Sequence, residues 1–85
     1  MNDIHDFAEL VADRESFIFF VSRLSVDWKE NPEDWSNCTL GSYLGAMASW
    51  VEDMDGYYEN LGLPIPDNVN WRLFADFLMG ARVYE

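Results

Sequence analysis

A chain of 85 residues can hold one hydrophobic core but not two, and with 49% apolar and 16% aromatic residues it is expected to pack one rather than remain disordered. Sixteen Asp and Glu against five Lys and Arg give a formal net charge of -11, a field that repels nucleic-acid phosphates and anionic membrane surfaces and attracts a basic protein. The plainer reading of the same charge is solubility alone.

Cys38 is the single cysteine, so no intramolecular disulfide can form and a reducing cytosol is the expected location. The apolar run Phe17–Val21 is too short for a membrane span or a signal core. Asn37-Cys38-Thr39 matches a glycosylation sequon, which a cytosolic protein does not use.

In chain order, the apolar period marks a short first helix over about Ile4 to Ala12, with Ile4, Phe7, Leu10 and Val11 on one face. Asp13 caps a second helix, about Arg14 to Lys29, whose stripe is Phe17, Phe20, Val21, Leu24 and Trp28. Pro32 ends it, because the residue before a proline is pushed out of the helical region. Asn31 to Cys38 reads as a polar loop carrying Trp35. Thr39 caps the longest helix, Leu40 to Leu61. Its apolar arc runs through Leu40, Tyr43, Leu44, Met47, Trp50, Val51, Met54, Tyr58 and Leu61. Gly62 suits a left-handed end to that helix, and Pro64 and Pro66 keep it from resuming. A last helix starts after Asn70 and turns Trp71, Phe74, Ala75, Leu78 and Ala81 inward. No segment alternates with a period of two, so the expected architecture is an all-α domain over residues 1–85, with three main helices and a short N-terminal one.

Sites for chemistry are scarce. His5 and Cys38 are the only imidazole and thiol and would have to meet across the fold to act together. Zinc spacing, a phosphate loop and a nucleophile elbow are missing from the sequence, and Asp53-Met54-Asp55-Gly56 lacks the other ligand positions of a calcium loop. The expectation is a non-enzymatic protein without metal or cofactor.

Three surface features remain. Glu52, Asp55 and Glu59 follow i, i+3, i+7 spacing and form a carboxylate strip suited to a basic partner, to a weakly held divalent cation, or to solvent alone. Gly41 and Gly45, with Ala48 and Ser49, form a small-residue strip that seats either the first helix or a partner; Gly56 marks a kink or an early end. Ile18, Phe19 and Val26 on the second helix and Leu73, Phe77 and Tyr84 on the last form extra apolar rows. These rows are buried if their helices are sandwiched, and otherwise serve self-association into a homo-oligomer.

Asn31-Pro32-Glu33-Asp34-Trp35, Asn37, Thr39-Leu40, the stretch Trp50 to Tyr58, Trp71-Arg72-Leu73-Phe74-Ala75 and the closing Ala81-Arg82-Val83-Tyr84-Glu85 resemble a family of small acidic bacterial proteins, a domain of unknown function. The resemblance covers most of the chain after residue 13. It implies a helical domain and carries no activity or catalytic residue with it. Trp50 and Trp71 are expected as core anchors. Trp35 is expected to fold back over the core; left outside, it would join Tyr57 in an acidic-aromatic patch for Arg or Lys of a partner.

The leading functional expectation is an acidic module that binds a basic protein, of which an immunity or antitoxin-like inhibitor is one concrete form. A self-associating structural domain, and a weak divalent-cation binder or small carboxylate enzyme, are the alternatives.

Overall fold

The computed structural model describes residues 3–84; Met1, Asn2 and Glu85 lie outside them. Among these residues four α-helices and one 3-10 turn follow in order: α1 (Ile4–Glu9), α2 (Arg14–Glu30), the 3-10 turn (Pro32–Asp34), α3 (Leu40–Leu61) and α4 (Trp71–Val83). Among the described residues there is no strand.

The helix starts are fixed by side chains that take up orphan backbone donors. Asp13 and Ser16 form a capping box at α2, and Thr39 and Ser42 form another at α3. The α2 box also explains why α1 stops at Glu9 rather than near Ala12. The Ser16 hydroxyl accepts the backbone N–H of Ala12 at 2.9 Å and of Asp13 at 3.1 Å, so these donors are withdrawn from α1. Pro32 does more than end α2: it opens the 3-10 turn, where its missing N–H costs nothing. Gly62 sits at φ 70°, the left-handed conformation that a residue with a Cβ rarely adopts, and the Leu63 N–H reaches back to the Tyr58 carbonyl at 2.9 Å.

α4 is the hub. It packs against α3 on one side and against α1 and α2 on the other. One buried cluster joins Ile4, Ala8, Val11, Phe20, Leu24, Trp35 and Ala75; a second joins Trp50, Tyr58 and Leu73. The last helix is therefore sandwiched, and this corrects the self-association assignment of Leu73. Its side chain is 3% exposed and lies inside the second cluster, with Phe77 half-buried against it. The same sandwiching rotates the expected inner face. Ala75 and Ala81 are fully buried where neighbours press closely, while Trp71 and Phe74 are exposed.

Gly80 shows how close the α3–α4 approach is. A Cβ placed there would lie 2.5 Å from Cδ1 and Cε2 of Trp50, so only a glycine lets the indole lie flat on the α4 backbone. The sequence reading gave Gly80 no role; its partner, Trp50, lies 30 positions upstream in the sequence.

On α3 the expected apolar arc is only half used. Trp50 and Tyr58 are buried, but Leu40 (74% exposed), Leu44 (54%), Val51 and Leu61 are open. Two causes combine. At about 1.5 Å per residue α3 runs about 33 Å and α4 about 20 Å, so the shorter helix cannot cover both ends of the longer one, where Leu40 and Leu61 lie. Leu44 and Val51 instead point about 100–120° around the helix from Trp50, although their neighbours Tyr43 and Trp50 meet α4.

Candidate functional site

Two regions bring chemically distinctive side chains together. The first is a polar cluster under the C-terminal end of α4, built around Asp27. One Asp27 oxygen accepts the Trp35 indole N–H at 2.8 Å and pairs with the Arg82 guanidinium at 3.4 Å; the other accepts the Asn31 amide at 3.2 Å. The Arg82 guanidinium lies over the Trp35 ring, 5.8 Å from its centroid, and its Nη2 stands 3.4 Å from Nε2 of His5. From the same loop, Asn37 donates its amide to the Ala81 and Tyr84 carbonyls at 3.1 and 2.7 Å, taking up acceptors that the end of α4 leaves unpaired.

This network gives four of the resemblance-bearing residues a structural job. Asn31, Trp35, Asn37 and Arg82 tie the 3-10 turn and the following loop to α2 and α4. Trp35 is 9% exposed, with its ring against Tyr43, so the folded-back position holds and Trp35 is removed from the candidate partner-binding set. The acidic-aromatic patch with Tyr57 does not form: Tyr57 lies on α3 against Trp50 and Tyr58.

A cleft of about 570 Å³ opens beside the cluster, lined in part by Asp3, His5, Arg23, Glu30, Asp34 and Arg82. Its charges are of both signs, and its Arg82 is already held by Asp27. No group of three or more metal-ligating side chains occurs among the described residues. His5 is engaged with Arg82, while the Cys38 thiol is exposed and its carbonyl accepts the Trp28 indole N–H at 2.9 Å. The geometry of this region is that of a fastening between elements.

The second region is the side of α3 turned away from α4. At 100° per residue, Leu40, Val51, Leu44, Asp55, Ala48, Gly41, Glu59, Glu52 and Gly45 fall within roughly 140° of the helix circumference. All nine are exposed, while Tyr58, at the same angle as Leu40 but near the other end, is buried and marks where α4 covers the edge of this arc. Along the axis they separate by chemistry: the N-terminal half is apolar or side-chain-free, and the C-terminal half carries the carboxylates Glu52, Asp55 and Glu59. Among the described residues these three carboxylates make no ion pair or side-chain hydrogen bond. Asp53, on a different side of the helix, accepts the Tyr84 hydroxyl.

The charge is one-sided here for a simple reason of sequence: no Lys, Arg or His occurs between Glu30 and Trp71. Arg72 and Arg82 pair with Asp76 and Asp27 on the other side of the fold. Among the described residues the small-residue strip seats nothing, since a Cβ at Gly41, Gly45 or Gly56 would meet no atom within 4 Å. α3 runs unbroken through Gly56 as an α-helix. Tyr57 is 42% exposed but sits roughly 160° around α3 from Glu59, so it does not share the carboxylate strip.

On α2, Ile18 and Phe19 are both more than half exposed, with the Phe19 ring edge-on to Phe7 at 5.2 Å. They point to different sides of the helix, about 100° apart, so they do not form one row. No helix is long and apolar enough to cross a membrane among the described residues.

No curated protein and no solved structure matches the chain. A family described as a family of unknown function, DUF7660, matches residues 13–85, a span that holds all of α2, α3 and α4 together with the Asp27 network, and the chain belongs to that family.

Proposed function

We propose that this domain is a non-enzymatic interaction module that binds a basic protein through the free side of α3. The observation that carries the reading is the strip of Glu52, Asp55 and Glu59, unpaired among the described residues and continuous with exposed Leu44 and Val51 on a face of α3 that α4 leaves uncovered. Exposed apolar area beside unpaired charge of one sign is the ordinary make-up of a docking surface: the apolar part supplies burial and the charge supplies steering and choice of partner. An inhibitor of a basic toxin is one concrete form of such a module. A reducing cytosol suits the single exposed thiol.

The test is affinity capture with two baits, the wild-type domain and a Glu52→Lys, Asp55→Lys, Glu59→Lys variant, each washed at low and then high salt. A basic protein held by the wild type, released as salt rises and missing from the variant supports the reading. The same proteins on both baits would sink it.

A further inference from the structure

The division of the free α3 face into an apolar half and an acidic half specifies the shape of what docks there; the argument rests on the basic-partner reading above. Glycine is among the poorest helix formers, and neither Gly41 nor Gly45 is required by packing among the described residues, because the space beside each is open. They lie about one turn apart and about 100° around α3 from Leu40 and Leu44, so a strip of bared backbone runs beside a ridge of exposed leucines. A low strip beside a raised ridge is where a close-packed rod fits, as when the ridges of one helix enter the grooves of another.

We infer that the occupant is an amphipathic helix of a basic protein, with its apolar residues over Leu40, Gly41, Leu44, Gly45 and Val51 and its Arg or Lys residues over Glu52, Asp55 and Glu59. Charge complementarity selects this occupant over a second copy of the chain. Two α3 helices packed parallel and in register would set Glu52, Asp55 and Glu59 against their own copies, and packed antiparallel they would set carboxylates over leucines. Each copy also carries a net charge of -11. Like charges face to face cost binding energy, whereas guanidinium groups on the carboxylate half gain it.

The probe is a synthetic helical peptide of about 20 residues, matched to the length of α3 at about 1.5 Å per residue, with leucine on one face of one half and arginine on the same face of the other. A second peptide carries glutamate in place of arginine. Binding to the full chain is read by fluorescence anisotropy across a salt series. The arginine peptide is expected to bind, with affinity falling as salt rises, and the glutamate peptide is not. Gly45→Leu fills the groove without touching the core; it is expected to weaken binding by about tenfold or more while the melting temperature holds or rises. Asn60→Leu, on another side of α3, is expected to leave affinity unchanged.

Equal binding to wild type and Gly45→Leu would overturn the helix-in-groove inference. If affinity then still fell in the Glu52→Lys, Asp55→Lys, Glu59→Lys variant, the basic-partner reading would stand without it. Binding indifferent to both changes would remove both ideas. Failure of the wild type to bind the arginine peptide, or a wild-type dimer in sedimentation that Gly45→Leu dissociates, would also overturn the inference.

Discussion

Replacing glycine by alanine in a helix normally stabilises a protein by about 1 kcal/mol, yet the same substitution should have opposite signs at two positions here. At Gly56 the new methyl group meets nothing within 4 Å, so Gly56→Ala should gain close to the full helix preference. At Gly80 it would stand 2.5 Å from two indole carbons of Trp50, where carbon atoms in contact sit about 3.5–4.0 Å apart. More than about 1 Å must be cleared. The indole is hemmed in by Tyr57, Tyr58 and Phe77, with ring centroids 5.3, 6.4 and 5.9 Å away, so it cannot swing aside without moving them. That places the overpacking cost near the upper end of the usual range, about 3 kcal/mol. Net of the helix preference, Gly80→Ala should destabilise by about 2 kcal/mol. For a domain of this size the two changes correspond to a melting temperature about 10 °C lower for Gly80→Ala and about 5 °C higher for Gly56→Ala. Urea titrations give the free energies directly, and adding Trp50→Phe to Gly80→Ala should recover part of the loss as a favourable coupling. Gly80→Ala as stable as the wild type would refute the account of the α3–α4 contact.

Three further outcomes follow from the packing. Asp27→Ala strips the Arg82 guanidinium, whose side chain is 7% exposed, of its carboxylate and the Trp35 indole of its acceptor; it should cost about 3 kcal/mol in urea denaturation. Arg82→Met leaves Asp27 with the Trp35 and Asn31 donors and should cost less, so the reverse order would contradict the assigned network. Burial pushes the Tyr43 phenol up to about 12, against an ordinary value of 10.0, with Arg82 partly opposing the rise. Burial, followed by the hydrogen bond to Asp76, raises Tyr58 as well. Since the unfolded phenol ionises first, stability should be intact below pH 10.0 and fall as pH climbs toward about 12. Denaturant midpoints across that window check it, and Tyr43→Phe should flatten the decline. Thr39→Ala removes the α3 cap and should cost about 1 kcal/mol, read by the same titrations.

The helices were legible because their signals are local. Asp13, Thr39 and Asn70 each cap the helix that follows, and Gly62 closes α3 where its neighbours predict. Burial was less legible, because it depends on which helix lies alongside. Periodicity placed Leu40, Leu44 and Trp50 on one arc, but only the direction from which α4 packs decides that Trp50 is covered and Leu44, about 120° around the helix, is not. Likewise Phe74 and Leu73 are adjacent apolar residues, and the three-sided packing of α4 buries the second and exposes the first. Of the candidate site, Glu52, Asp55 and Glu59 were found by spacing on one helix and remain together in the fold. Trp35 and Tyr57 were grouped by composition, and tertiary packing separates them. Asp27 was missed altogether: it sits in the polar part of α2, and its partners lie 4, 8 and 55 positions away.

The position of α4 at the centre of the fold has a consequence for synthesis. α1, α2 and α3 leave the ribosome before α4 does, and α3 packs mainly on α4. Until α4 emerges, Trp50 and Tyr58 lack their α4 partner Leu73, and Phe20 and Leu24 have only the partners that the chain up to Trp35 supplies. Joining α3 to the rest is thus a late docking step, and the nascent chain carries uncovered aromatic faces until it happens. The acidic residues spread along α1, α2 and α3 give that waiting chain a mutual repulsion that disfavours sticking to its own copies on neighbouring ribosomes.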